Sequence, residues 1–442
     1  MSEALSSFRR PPGPAPVVEL GVNPETLDTL QRIRDEFGDI ICMNQRGGRL
    51  AYFVNDPAAV RRILVRRHSS FVKGPGFERV KMLLGNGLIV SDGDVWRRSR
   101  TMIQPSFSRQ NVHRLLKVMV QCCDRRAVRW AQAAAQDAEV SITAETSDFA
   151  LELILLSIFG DDYESMIVAD GENPFAFLAN DSTRDLGVVL KARNLRKLLL
   201  DIIGNRRARA GDESFDFLSM YMAATDKKGV AFTDRELLDE LITLIVAGFE
   251  TSANTLNWVW YLLAGHPHVE ERLLEECSSI LPNVSAVNPE ALASMTYAQQ
   301  VLEEALRLYP PVWLFTRRSQ ADDELDEFDI PPDTDIYLSP YMLHRTARYW
   351  PDPDRFDPDR FDPARLEIER VAKNDRPYFP FSLGPRRCLG EYFSFLEMKV
   401  HLGLLLPRFR MMRVGQEEPG IELAINLRSA SDIQLKPEIR TA

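Results

Sequence analysis

The chain has 442 residues, 45% hydrophobic and 27% charged, with a formal net charge of −10. That hydrophobic share furnishes a large core, and the acidic balance supplies no basic field for nucleic acid. Its five cysteines, Cys42, Cys122, Cys123, Cys277 and Cys388, are sparse, odd in number and without a Cys-x-x-Cys pair. They exclude a disulfide framework or a zinc ribbon and fit a reducing cytoplasm.

From the N-terminus, residues 1–20 read as a flexible tail, because Arg9-Arg10-Pro11-Pro12-Gly13-Pro14 enters neither a helix nor a sheet interior. Residues 21–442 read as a single large domain, mainly α with small β-sheets. Ile40–Asn44 and Leu50–Val54 flank Gly47-Gly48 as a hairpin, and Asp56-Pro57 opens a helix through Arg67. Residues 71–94 are punctuated by glycine and read as irregular. A short helix follows over 94–102, placing Trp96 and Arg100 on one face. Helical periods continue over 112–135 and 147–159. Residues 161–212 mix broken helical stretches, as a mobile cover would.

The strongest helix signal starts at Thr233 and Glu236, a Ser/Thr-x-x-Glu capping box, and ends at Gly265-His266-Pro267. About 32 residues at 1.5 Å each make a rod of roughly 48 Å, long enough to cross a whole domain. Its apolar run contains Glu250, Asn254 and Asn257, which suits a helix buried in protein and not a membrane anchor. At its middle, Ala247-Gly248-Phe249-Glu250-Thr251 combines a weak point in the ladder with a carboxylate and a hydroxyl. Such a turn is open to a bulge or bend and able to pass protons. His266-x-His268 at the helix end reads as a cap.

Glu304 and Arg307 then stand three apart on a helix over 297–309 that stops at Pro310-Pro311. Two successive Pro-x-Arg-Phe copies follow, carrying Arg355 and Arg360. Near the C-terminus, Phe381-Ser-Leu-Gly-Pro-Arg386-Arg-Cys388-Leu-Gly390 delivers one thiol from a tight glycine loop to the start of a helix over 391–406. Helix-start N–H groups and adjacent arginines favour a thiolate there, and a thiolate is a soft ligand for iron. Short β-prone runs over 411–436 close the chain.

The pattern Phe381-x-x-Gly384-x-Arg386-x-Cys388-x-Gly390 resembles the heme-binding loop of the cytochrome P450 family, the heme-thiolate monooxygenases. Ala247-Gly248-x-Glu250-Thr251, Glu304-x-x-Arg307, Pro-x-Arg-Phe and Trp96-x-x-x-Arg100 resemble that family's other motifs, in its order. The resemblance implies a domain with a long central helix over heme b, the iron bound by Cys388. It implies Thr251 as the oxygen-activation hydroxyl and Glu250 as the proton relay. Glu304, Arg307 and Arg360 become a structural triad, with Arg355 competing for the third place. Trp96, Arg100, Arg386 and Arg317 become propionate partners, with Arg318 competing for the last. Phe381, Gly390 and Ala247 join the cofactor set.

For a substrate pocket the resemblance and helix spacing suggest Thr243, Val246 and Ala247, the turn Val312, Trp313, Leu314 and Phe315, and Phe77, Leu83 and Leu88. These are largely apolar, so the expected substrate is an apolar small molecule: fatty acid, terpenoid, steroid or other natural product. The implied activity inserts one atom of O2 into a C–H or C=C bond. NAD(P)H-derived electrons would come through a separate ferredoxin or flavodoxin with its reductase. Arg97, Arg98, Arg387 and Lys399 are candidates for its docking face. The other readings are a non-enzymatic heme sensor or carrier, and a peroxide-driven relative. The acid–threonine pair speaks against the latter.

Overall fold

The computed structural model describes residues 8–44, 48–163, 175, 186–209, 215–368 and 377–440. Within them the side chains of 83, 186–192 and 366–368 lie outside the description. Most of the 161–212 stretch expected to form a mobile cover lies outside it too. The fold is mainly α with small sheets, and it divides into two compact units. Among the described residues no helix is long and apolar enough to cross a membrane.

The first unit comprises the N-terminal segment to Glu78, Gln300–Cys388 and Pro419–Ser431. Its centre is a five-stranded sheet in the order Ile40–Asn44, Leu50–Val54, Asp335–Leu338, Phe315–Ser319, Phe71–Lys73. The expected hairpin is present, with Ile40 opposite Val54 and Asn44 opposite Leu50. Leu50–Val54 and Asp335–Leu338 run parallel; every other neighbour is antiparallel. Alternate side chains of Ile40, Cys42, Tyr52 and Val54 pack with Val60, Ile63, Leu64, Ile336 and Phe379 in one apolar cluster. Asp56 caps the next helix by accepting the Ala59 N–H at 2.8 Å, and Pro57 is its first residue.

Two expectations change here. Residues 71–94, read as irregular, contain the edge strand Phe71–Lys73 and a helix, Phe77–Leu84. Pairing with a distant strand decides the first, a tertiary effect that local pattern does not carry. Residues 9–18, read as part of a flexible tail, lie against the sheet edge. Pro12 accepts the Cys42 N–H at 2.9 Å, and the Val18 N–H donates to the Asn44 carbonyl at 2.9 Å. Arg10 reaches Asn44 Oδ1 at 2.6 Å. Proline lacks a donor but keeps its carbonyl, and a sheet edge supplies the N–H.

The second unit comprises Arg79–Gln299, Leu389–Glu418 and Asp432–Ala442. The long helix runs unbroken over Asp234–Gly265 from a complete capping box. Thr233 N–H donates to Glu236 Oε2 at 2.8 Å, and Thr233 Oγ1 accepts from the Glu236 N–H at 3.3 Å. The bend expected at Gly248 is not seen as a break. That glycine instead lets the helix Ile142–Phe159 approach, since a Cβ would stand 2.8 Å from the Ile154 side chain. Helices Leu116–Ala135 and Glu391–Leu405 complete this core, beside a sheet in the order Val140–Ser141, Gln434–Ile439, Phe409–Arg413. His266 Nδ1 sits 2.7 Å from the Leu262 carbonyl, the capping place expected of it.

Candidate active site

In the first unit, the loop before Cys388 is held by its backbone. Ser382 and Gly384 have φ of +61° and +70°. A Cβ on Gly384 would overlap the Leu64 carbonyl oxygen, so only glycine fits both the angle and the space. The Arg387 N–H donates to the Gly384 carbonyl and the Cys388 N–H to the Phe381 carbonyl, each at 3.0 Å. Cys388 is exposed, while the other four cysteines are buried. Burial pushes the thiols of Cys122, Cys123 and Cys277 up, away from the thiolate form. Among the described residues the buried Ser382 hydroxyl has no hydrogen-bond partner.

Strand alternation separates the two arginines that competed for one role. Arg318 Nε donates to Asp335 Oδ1 at 2.7 Å, and that hydrogen bond holds its guanidinium up. Arg317 points to the other face, 4% exposed, with Nη1 donating to the Thr316 carbonyl at 2.8 Å. Arg386 is half-buried on the cysteine loop.

Glu304, Arg307 and Arg360 come together. Arg307 donates to both Glu304 oxygens, at 2.7 and 2.9 Å, and neither side chain has solvent exposure. Its remaining N–H groups reach the carbonyls of His344, Pro353 and Arg355. Arg360 Nε lies 3.4 Å from Glu304 Oε1, and its Nη2 donates to the Asp352 carbonyl at 2.7 Å. Arg355 is exposed and pairs with Asp357 instead. His344, buried, accepts the Phe379 N–H at 3.0 Å, and burial keeps its imidazole neutral.

In the second unit, the long helix is buried at every position from Leu237 to Trp260 except five: Val246, Ala247, Gly248, Glu250 and Thr251. Spacings of three and four put Val246, Ala247, Glu250 and Thr251 on one face, so the helix opens in a single half-exposed stripe at mid-length. Thr251 Oγ1 donates to the Ala247 carbonyl at 2.8 Å, the one-turn-back bond its position allows. Trp96 and Arg100 lie on helix Gly93–Ile103, both half-buried, with Arg100 Nε donating to Gln104 Oε1 at 3.3 Å.

Of the four basic residues suggested for a docking face, Arg98 and Lys399 are held by other groups, while Arg97 and Arg387 are exposed. Arg98 is committed to Asp226 and Glu236 at 2.9 and 2.8 Å, and Lys399 is buried with Nζ donating to the Leu292 carbonyl at 3.1 Å. Arg97 is exposed but ion-paired to Asp94. An apolar stem explains Lys399: it follows the buried face of its helix while the ammonium finds a carbonyl.

Of the expected pocket residues, Thr243 is buried, while Val246 and Ala247 open onto the stripe. Trp313 turns inward, its indole donating to the Ala424 carbonyl at 3.2 Å, and Phe315 stacks on Phe379 at 6.0 Å. Val312, Leu314, Phe77 and Leu88 are half-buried. Lys73 Nζ sits 4.6 Å over the Phe77 ring. The Leu83 side chain lies outside the described residues.

Sequence reading missed Glu397, a carboxyl 1% exposed on helix Glu391–Leu405. Ser252 donates to its Oε1, Oε2 has no partner among the described residues, and burial pushes the carboxyl up to about 8. The available signal was an acid between apolar Leu396 and Met398 on the helical run. Its folded-state value exceeds the ordinary glutamate value, so stability is greatest with the proton on and declines as pH rises from about 4.5 to 8. Glu397→Gln should therefore gain on the wild type across that window by about 1.4 kcal/mol per pH unit, read from melting curves. A difference independent of pH would show Glu397 to be already ionised.

A family model for cytochrome P450 matches residues 11–431. Cyclooctatin synthase of Streptomyces melanosporofaciens is 32% identical over 392 residues, 85% of this chain and 83% of that protein. Cyclooctat-9-en-7-ol 5-monooxygenase of the same organism is 30% identical over 395 residues, covering 85% and 83%. Pentalenene oxygenase of Streptomyces avermitilis is 29% identical over 388 residues, covering 85% and 84%. With a match of that extent and relatives of that kind, this chain belongs to the cytochrome P450 family and is a P450 monooxygenase.

Proposed function

We propose that this monooxygenase oxidises an apolar terpenoid, with Cys388 as thiolate ligand of heme b. The observation that carries the reading is the half-exposed stripe on the long helix, two apolar residues beside a carboxylate and a hydroxyl on a rod that, Gly248 apart, is buried at every other position from Leu237 to Trp260. Three relatives whose names refer to cyclooctatin, cyclooctat-9-en-7-ol and pentalenene support the substrate class.

The residues present fit heme. Its iron would take a soft thiolate ligand, and the single exposed thiol sits on a loop fixed by two N–H···O bonds. Its propionates need cations or N–H donors, and Arg317, Arg386, Trp96 and Arg100 would hold them. Arg317 fills its place in preference to Arg318, which is taken by Asp335. Bound heme supplies the oxygen activation and the oxidising power.

The chain supplies position, dryness and protons. Val246 and Ala247 exclude water and hold apolar surface. Glu250, half-exposed, exchanges protons with water and relays them along its face to Thr251 Oγ1. That hydroxyl donates to Ala247 and keeps lone pairs with which to accept. Electrons come from NAD(P)H through a separate ferredoxin or flavodoxin and its reductase, in the cytoplasm.

Titrating the heme-loaded protein with sesquiterpene and diterpene hydrocarbons and alcohols, beside fatty acids, tests the substrate class. Terpenoids should shift the Soret band; a response to fatty acids alone sinks the proposal. Thr251→Ala should keep that shift while product per NAD(P)H consumed falls at least tenfold, general acid–base assistance being worth about 10²–10⁴-fold in rate, with peroxide accumulating. Unchanged coupling would remove Thr251 from the role.

A further inference from the structure

His344 stands between the buried triad and the cysteine loop and bonds to both. Local chemistry delivers it there. The Ser339 hydroxyl caps the short turn Pro340–Leu343 by accepting the Met342 N–H at 3.3 Å, and the His344 N–H closes that turn on the Pro340 carbonyl at 2.8 Å. The His344 carbonyl accepts from Arg307 Nη1 at 2.8 Å, which ties the residue to the triad. Its ring is wholly buried, with the Tyr378 ring at 5.0 Å and Phe379 edge-on at 5.5 Å.

The Phe379 N–H donates to His344 Nε2 at 3.0 Å. From that point the cysteine loop is built by backbone alone. The Ser382 N–H donates to the Phe379 carbonyl at 2.9 Å, Ser382 turns the chain at φ +61°, and the Cys388 N–H donates to the Phe381 carbonyl at 3.0 Å. Phe379 is 2% exposed, so its N–H has no recourse to water. A neutral imidazole accepts from it without burying a further carboxylate. Because Nε2 accepts, the ring proton sits on Nδ1, which makes no hydrogen bond among the described residues. A second proton would make Nε2 a donor facing the Phe379 N–H, so protonation and release are one event.

Arg307 reaches no atom of the cysteine loop itself. Its N–H groups end on Glu304 and on the carbonyls of His344, Pro353 and Arg355. We propose that His344 is a positioning residue for the Cys388 thiolate: its bare Nε2 holds the root of the cysteine loop, through Phe379, in register with the Glu304–Arg307 pair. This rests on the reading that Cys388 is the heme ligand. Tyr378 adds a second tie, its hydroxyl donating to the Glu303 carbonyl at 3.0 Å, so loss of the first should loosen the root without unfolding it.

Proton linkage gives the role a signature. Burial, with Arg307 and Arg345, holds the imidazole well below its ordinary value, and the carbonyls of Arg307 and Leu306 oppose them. Tyr378 is the titratable side chain on the loop side, and Glu304 is engaged by Arg307 and Arg360. Once released to water, a histidine titrates at about 6.5. Release therefore takes up a proton as pH falls through that value, is favoured up to about tenfold per unit below it, and is independent of pH above it.

The test uses the heme-loaded enzyme and two readouts: amide exchange at Phe379, and the rate at which the reduced carbon monoxide complex loses the red-shifted Soret band of an iron–thiolate. His344→Leu, close in volume and without an acceptor, should speed both about tenfold, the scale of one buried N–H left without its bond. His344→Gln keeps a carbonyl acceptor and should bring both back to within about twofold of wild type. Wild-type band loss should quicken about tenfold from pH 7.5 to 5.5, and His344→Gln should lack that rise. Unchanged exchange in His344→Leu overturns the tie, and faster exchange with an unchanged band lifetime overturns its hold on the thiolate. Should His344→Leu fail to fold, the comparison of His344→Gln with wild type decides: an equal acid rise in both overturns the proposal. A wild type without the band sinks the reading of Cys388 and this inference with it, whereas a band that His344→Leu keeps as long as wild type sinks the inference alone.

Discussion

Cys388→Ser should abolish turnover and, in the reduced protein under carbon monoxide, remove the red-shifted Soret band of an iron–thiolate. A serine oxygen is hard and remains protonated at neutral pH, so it neither matches the ligand preference of iron nor donates comparable charge. The substitution leaves the loop intact: the bonds from Arg387 N–H to Gly384 and from Cys388 N–H to Phe381 are made by backbone. Circular dichroism and melting temperature should stay close to wild type, which separates lost ligation from lost folding. Replacing any of the four buried cysteines with alanine should leave the Soret band in place. A serine variant that retained the band and oxidised substrate would remove Cys388 from the centre of the reading.

Arg307→Lys should be the most damaging substitution away from the stripe and the cysteine loop. Arg307 uses all five N–H groups, two on Glu304 and three on carbonyls of residues 344–355, with no solvent exposure to repair a loss. Lysine offers three donors from one point and cannot form the fork. Glu304 would then be buried with part of its compensation gone, at a cost of about 3–5 kcal/mol for breaking such a pair. Glu304 also accepts the Asp357 N–H at 2.9 Å, so the damage should spread to the segment that carries Arg360. Poor heme retention together with a large fall in melting temperature is the expected result. Arg355→Lys, at the exposed copy of the motif, should be near neutral. Equal effects from the two substitutions would show that the buried triad is not what organises this region.

Local chemistry already determined much of this protein. A capping box starts the long helix where Thr233 and Glu236 say it must, because those bonds form between residues three apart. The Cys388 loop is legible for the same reason: Gly384 is a local demand of backbone angle, and its neighbours in sequence make its hydrogen bonds. The tertiary structure decided what depends on distant partners. Arg318 is taken because Asp335 lies on the adjacent strand; Arg360 and not Arg355 joins the triad because its side chain turns inward. Lys399 and Arg98, apparent surface cations in the sequence, are held by a carbonyl and two carboxylates far along the chain. Asp239 and Glu240 carry no sequence signature and Glu397 only its place between two apolar residues, since burial and the partners that satisfy or shift a carboxyl come into being only when separate segments meet.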